Sequence, residues 1–297
     1  MLTLNPRRVD DLFRFIQERH NIWRLRYVEK KPGPWTHDPI LRKFRFCNVY
    51  RELDRVTLWI AANWRTPHRD DPDLWFAMVV ARLVNWPNTL AEMKYPVPWH
   101  PQDFLQALES RMKKNYKVFT GAYMIHAGRT GESKARYLSR HVLTPIWVDR
   151  KKIRPKKRDT LFSFYVRLSE CPDMGSFMTG QVIADAKHEG VLKTAVDWAD
   201  WAISGPGSLR GLNRVYERDK KAKWREEEWQ EHLDKLREKI NPKVLEHGMP
   251  HISAQDLQNC LCEFDKYERV RLGEGRPRSL FVPGTEPLRF PRQGVLY

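Results

Sequence analysis

The segment FRFCNVYRELDRVTLWI, Phe44 to Ile60, carries residues whose types and spacing suit chemistry on a nucleotide. Apolar residues at Phe46, Val49, Leu53, Val56 and Ile60 follow a three-and-four spacing, which predicts one helix face over Phe44 to Ala61. On that helix Asn48, Arg51 and Arg55 stack opposite the apolar stripe, and Asp54 lies one turn from Arg51, near enough to orient its guanidinium. An amide beside two forked guanidiniums suits a base edge or a phosphate group. The same pattern also fits a solvated face with a local ion pair, which contributes only roughly a few tenths of a kcal/mol.

Further along, CPDMG (Cys171 to Gly175) runs into SFMTGQVIADA. A small-residue turn between helices, with backbone N–H groups such as that of Gly175 pointing outward, can grip a DNA phosphate. The pattern expected of such a hairpin is Pro-Gly-hydrophobic-Gly; here Asp173 replaces the first glycine and opposes a phosphate. Next comes TAVDWADWAISGPGSLRGL, Thr194 to Leu212. A carboxylate set among Trp198 and Trp201, either Asp197 or Asp200, would be partly desolvated, which raises its pKa toward the range of a general base. Gly205, Gly207 and Gly211 let a ligand approach backbone closely, and Arg210 adds positive charge beside it. A helix cap and turn would explain the same glycines without a ligand. The loop HAGRTGESK, ending at Lys134, mixes glycine with cations but lacks the G-K-[ST] ending, which argues against a P-loop kinase on this chain. His20, His68, His126 and His141 share no ligand spacing, and Cys47, Cys171, Cys260 and Cys262 form no C-x-x-C pair. No metal and no cofactor is therefore expected. Cys47 and Cys262 suit nucleophiles less well than small buried hydrophobes.

These residues need elements to position them, and the chain is long enough to supply a core. It has 297 residues, with 53 Lys+Arg against 37 Asp+Glu for a formal charge of +16, and 12 Trp, 10 Tyr and 13 Phe. That aromatic content excludes a disordered polybasic tail, and the charge points to a polyanionic partner or, more blandly, to solubility. No stretch approaches the roughly 18 apolar residues of a membrane span, the N-terminus lacks a signal-like apolar region, and the cysteine usage fits a reducing compartment. Seven of the nine residues in 150–158 are basic: Arg150, Lys151, Lys152, Arg154, Lys156, Lys157 and Arg158. This run suits a DNA backbone and suggests a division into 1–149, 150–275 and an irregular tail 276–297, interleaved in one fold. Ser253 with Asp256 three residues on predicts a capped helix burying Leu257, Leu261 and Phe264, with Gly273 as its stop. Glu217 to Ile240 reads as a charged outer brace with a thin stripe of Trp229, Leu233, Leu236 and Ile240. Lys117 to Ile125 and Thr160 to Leu168 are weak strand candidates that fit buried helix equally well. The expected class is mainly α with little or no β.

With these residues laid out, the chain resembles a phage family of thymine hypermodification, the α-glutamyl/putrescinyl-thymine pyrophosphorylases. These are relatives of the helical domain of 5-hydroxymethyluracil DNA kinases and of amino-acid:DNA transferases. The resemblance rests on FIQERHNIWRLR (Phe15 to Arg26), PWTHDPILRKFRFCNVYRELDRV (Pro34 to Val56), GPGSLRGL (Gly205 to Leu212) and LCEFDKYERVRLGEGRPR (Leu261 to Arg278). It implies a helix-hairpin-helix, DNA glycosylase-like helical fold, from which this sequence departs in lacking the cysteine cluster of iron–sulfur glycosylases and in its imperfect hairpin. It implies double-stranded DNA containing activated 5-hydroxymethyluracil as one partner, a free amino acid or polyamine as the other, no membrane, and the cytoplasm of an infected bacterial host as the place. In that reading Arg51, Arg55 and Arg210 hold phosphate, Asn48 reads the uracil edge, Asp197 or Asp200 acts on the incoming ammonium, and Trp198 or another aromatic stacks on the extracted base. Asp265, Lys266 and Arg269 match a family motif without a role that spacing supplies. A base-excision glycosylase and a non-catalytic DNA-binding or kinase-accessory protein are the alternatives.

Overall fold

Short polar residues ahead of prolines start two of the helices. Asn5 accepts from the Arg7 backbone at 2.9 Å ahead of Pro6, and Asp38 accepts from Ile40 and Leu41 at 2.8 and 2.9 Å ahead of Pro39. Proline suits the first helical position because its missing N–H would be unpaired there anyway. The computed structural model describes residues 2–120, 131–277 and 279–281. Among them the helices in chain order are α1 (Pro6–Trp23), α2 (Pro39–Lys43), α3 (Arg55–Ile60), α4 (Leu74–Val84), α5 (Pro87–Met93), α6 (Pro101–Lys113) and α7 (Lys134–Tyr137). Then follow α8 (Thr144–Val148), α9 (Arg150–Ile153), α10 (Leu161–Ser169), α11 (Ser176–Ala186), α12 (Pro206–Val215), α13 (Glu226–Glu246) and α14 (Ala254–Arg271). The protein is mainly helical, as its sequence predicts. Among the described residues, β pairing is confined to one antiparallel bridge, Phe44 with Leu280.

Among the described residues the chain divides into two compact units, 2–54 with 199–281 and 55–198. The first is therefore discontinuous, and the basic run 150–158 lies within the second. In the first unit α1, α12, α13 and α14 pack around Leu12, Ile16, Trp229, Leu233, Leu236, Ile240, Leu257, Leu261 and Phe264, all of them fully buried. The stripe predicted on α13 is thus core rather than the thin seam of an outer brace, and the helix begins at Glu226 instead of Glu217. Ser253 caps α14 by accepting from the Asp256 backbone at 3.3 Å, and Gly273 ends it with φ +69°. The most extensive helix pairing is α12 on α14. A Cβ on Gly207 would come within 2.3 Å of Cys262 Sγ, and one on Gly211 within 2.2 Å of the Leu261 carbonyl oxygen. These glycines allow two helices to approach closely.

In the second unit α4 is buried along its whole length and packs on α11. Arg82 of α4 and Asp185 of α11 form an ion pair that is 3% and 0% exposed, so each charge has its partner inside the core. Arg82 Nη2 lies 2.5 Å from Asp185 Oδ1 and 2.8 Å from Thr57 Oγ1. Thr160 to Leu168 forms α10 and its cap: Thr160 Oγ1 accepts from the Ser163 backbone and Ser163 Oγ from the Thr160 backbone, each at 3.0 Å. This reciprocal cap decides for helix over strand. Lys117 to Thr120 shows no strand, and 121–125 lies outside the described residues, as does most of the tail beyond 276.

Candidate functional site

The helix predicted over Phe44 to Ala61 does not form before Arg55. Residues 45–50 run without helix, Arg51–Leu53 makes one 3-10 turn, and Asp54 is extended with φ −75° and ψ 138°. The reason is that side chains take the backbone groups a helix would use. Asp54 Oδ1 accepts from the Asn48 backbone at 2.9 Å, and Asn48 Nδ2 donates to the Leu53 carbonyl at 2.6 Å. From α14, Glu263 accepts from the Cys47 backbone at 2.9 Å and Asp256 from the Arg51 backbone at 3.0 Å, while Asn259 donates to the Asn48 carbonyl at 2.9 Å. Residues 256, 259 and 263 recur at helical spacing, so one face of α14 staples the loop along its length. Asn48, Arg51 and Arg55 consequently share no helix face, and Arg55 opens α3 in the second unit.

Asn48 is 7% exposed and engaged at both amide ends, because Arg19 Nη2 donates to its Oδ1 at 2.6 Å. It locks the loop. Asp54, half-buried, accepts that one bond through Oδ1. Burial holds its carboxyl above the ordinary carboxylate range, against the opposing pull of the Asn48 N–H and the charges of Arg19 and Arg51. Asp54 is thus a carboxylate whose burial shifts it in the direction expected of a general base.

A second cluster joins α12 to α14. Asp265 is fully buried, and three guanidiniums surround it: Arg210 Nε at 2.8 Å, Arg214 Nε at 2.9 Å and Arg269 Nε at 3.5 Å. Arg214 is buried and also pairs with Glu274 at 2.5 Å. Arg210 and Arg269 keep side chains that are 35% exposed. A buried acid that fixes two half-exposed guanidiniums pre-organises an anion clamp without neutralising it fully. Spacing gives no role to Asp265 or Arg269 and does not single out Arg214; the three meet only in the folded chain. The Arg210/Arg214 and Asp265/Arg269 pairs, each four apart, are a local signal that α12 and α14 carry matched charges. Gly205 caps α12, its N–H donating to Ser208 Oγ at 2.9 Å, and Gly207 serves packing against Cys262. Burial, with Glu263 beside it, pushes the Cys262 thiol up to about 11, and burial raises Cys260 as well; neither is poised as a thiolate.

The other predicted residues have separate surroundings. In the second unit Asp197 caps α10, Oδ1 accepting from the Leu161 backbone at 2.7 Å and Oδ2 from Phe162 at 3.0 Å. Trp198 is clasped by Lys187, whose ammonium lies 3.9 Å from the indole centroid. In the first unit Asp200 pairs with Arg237 at 2.5 Å and remains 57% exposed. Lys134 lies over the Phe119 ring at 4.3 Å, and burial lowers its pKa. Gly175 caps α11 after a turn in which Asp173 takes φ +56° and accepts from Tyr137 Oη at 2.6 Å. In the basic run, Arg150 and Arg154 approach Asp73 at 3.4 and 3.5 Å and Lys152 pairs with Asp149 at 2.6 Å, while Lys151, Lys156, Lys157 and Arg158 are exposed. Among the described residues no helix is long and apolar enough to cross a membrane.

The chain is thus a basic, mainly helical protein in which three arginines are fixed on one buried acid. The chain belongs to the family of the 5-hmdU DNA kinase helical domain, whose model matches residues 7–276. It is 28% identical over 232 residues to a 5-hmdU DNA kinase of Bacillus phage SP10, an alignment covering 70% of this chain and 36% of that one. The chain thus matches well under half of that relative's length. No solved structure matches it.

Proposed function

We propose that this chain is a phage enzyme of thymine hypermodification that acts on 5-hydroxymethyluracil in double-stranded DNA, in the cytoplasm of the infected host. Its reaction is a transfer: the amine nitrogen of an amino acid or polyamine attacks the exocyclic methylene carbon of the activated base. The carbon–oxygen bond breaks, and the electron pair leaves with the phosphate or diphosphate. The observation that carries this reading is the Arg210–Asp265–Arg269 cluster in a chain of this family, because a fixed pair of half-exposed guanidiniums suits a departing phosphate. Asp54 is the best-supported base for the ammonium proton, since its carboxyl is desolvated and makes one hydrogen bond through Oδ1. Arg51 stands beside it as a further cation.

The test is incubation with duplex DNA containing 5-phosphomethyl- or 5-diphosphomethyl-deoxyuridine and a mixture of amines, followed by digestion to nucleosides and mass spectrometry. The expected product is an aminomethyl-uracil nucleoside, formed about 100-fold more slowly by Arg210→Ala. Recovery of unmodified input alone with every amine would overturn the reading. A DNA-binding accessory to a kinase is the second reading, favoured by the partial match to the longer SP10 protein. It expects tight DNA binding without conversion.

A further inference from the structure

We propose that Phe162 and Val196 form an apolar wedge that enters the DNA base stack where the target base is extracted. This rests on the DNA reading above and extends it to a surface of the second unit. Val196 is 87% exposed and Phe162 55%. Single exposed apolar residues need no explanation; these two differ because each is held out on constrained backbone. The carboxylate of Asp197 follows Val196 directly and accepts from the backbones of Leu161 and Phe162, so one group ties both positions together. The loop carrying Val196 is closed at its base, where Trp198 Nε1 donates to the Lys187 carbonyl at 2.8 Å and Lys187 Nζ donates to the Trp198 carbonyl at 3.1 Å. Leu192 and Ala195, buried in the same loop, hold it from beneath. The Phe162 ring lies against Tyr165 with centroids 6.3 Å apart and planes at 19°, which limits its rotamers.

The cations stand on the same support. Arg167 of α10 donates from Nε to the Ile153 carbonyl and from Nη2 to the Arg154 carbonyl, each at 3.3 Å. It also donates to Asp159 Oδ1 at 3.1 Å, and Asp159 Oδ2 accepts from the Lys156 backbone at 2.6 Å. One helix therefore anchors the turn bearing exposed Lys156, Lys157 and Arg158 and presents Phe162 at its start. Positive charge at fixed distance from rigid apolar prongs matches a duplex, whose phosphates flank a stack of apolar base faces. Extracting a base opens a gap, and an apolar side chain filling it offsets the lost stacking.

The experiment uses the full chain and a duplex containing 5-hydroxymethyluracil with 2-aminopurine as its neighbour. Binding is expected to raise 2-aminopurine fluorescence, and the Phe162→Ala/Val196→Ser double variant to lose most of that rise while binding DNA at low salt within about threefold of the parent. Both positions are exposed, and an unchanged melting temperature checks the fold. A fluorescence rise that survives the double substitution overturns the wedge. So does weakened binding to anionic vesicles with the DNA signal intact, which assigns the prongs to a lipid surface. The transfer assay separates the two readings. Conversion with fluorescence indifferent to the double variant sinks the wedge alone; a wedge-dependent signal without conversion sinks the transferase and keeps the wedge.

Discussion

Asp54 and Asp197 are both acids beside aromatic or cationic residues in sequence, yet their surroundings set them apart. Asp197 spends both oxygens on the first backbone N–H groups of α10, the work of a helix cap. Asp54 accepts one backbone bond, and burial holds its carboxyl high. A folded pKa above the unfolded one means that the fold favours the protonated form, so ionisation of Asp54 costs stability as pH rises past the unfolded carboxylate range. Asp54→Asn, which retains an acceptor for the Asn48 N–H, is therefore expected to be at least as stable as the parent at pH 7, the difference vanishing in acid. The same variant should lose transfer by about 100-fold or more, and the parent's rate should climb as Asp54 ionises. Asp197→Ser, which loosens the tie to the first N–H groups of α10 while Thr160 keeps its own cap, should cost about 1 kcal/mol and leave the pH dependence of transfer unchanged. Thermal melts across pH with rate measurements on both variants check this; a dead Asp197→Ser beside an active Asp54→Asn would reverse the assignment.

At the scale of elements, local spacing carried some of the fold and none of the long-range stapling. The Ser253 cap, the Leu257, Leu261 and Phe264 stripe and the Gly273 stop all lie within one helix and its ends, and all are legible from neighbours three or four residues apart. The loop of residues 45–54 defeats the same logic. Its apolar spacing mimics a helix, but its backbone is held by Glu263, 216 residues away in sequence from Cys47. Asp265 is equally opaque, since the Arg210 that gives it meaning lies 55 residues upstream. The glycines of GPGSLRGL suit ligand approach and close packing alike, and only the helix pair decides between them. A methyl on Gly211 meets the Leu261 carbonyl, part of a helix backbone that cannot swing aside. Gly211→Ala is expected to destabilise by about 3 kcal/mol through overpacking, whereas Gly175→Ala, with open space around it, should change stability by well under about 1 kcal/mol. Urea unfolding of the two variants makes the comparison, and equal midpoints would remove the packing role.

For the whole molecule, the charge of +16 is an excess distributed unevenly between paired and unpaired work. Arg150 and Arg154 face Asp73, Lys152 faces Asp149, and Arg210, Arg214 and Arg269 share Asp265; these cations set local geometry. Lys151, Lys156, Lys157 and Arg158 are exposed within one short stretch on the surface of the second unit. Counterion release depends on how many cations meet phosphates, with a slope of about −0.9 in log affinity against log salt for each contact. Replacing these four residues with alanine should flatten the slope by up to about 3 to 4, according to how many contact the strand. Arg210→Ala should leave the slope within about 1 of the parent's value while slowing transfer on saturating DNA. Binding titrations between roughly 50 and 200 mM salt, paired with single-turnover rates, read the two effects separately. If the four-residue variant kept the parent's slope, the run would be solubility charge. If Arg210→Ala changed the slope as much as the run did, the same cations would serve strand and leaving group together.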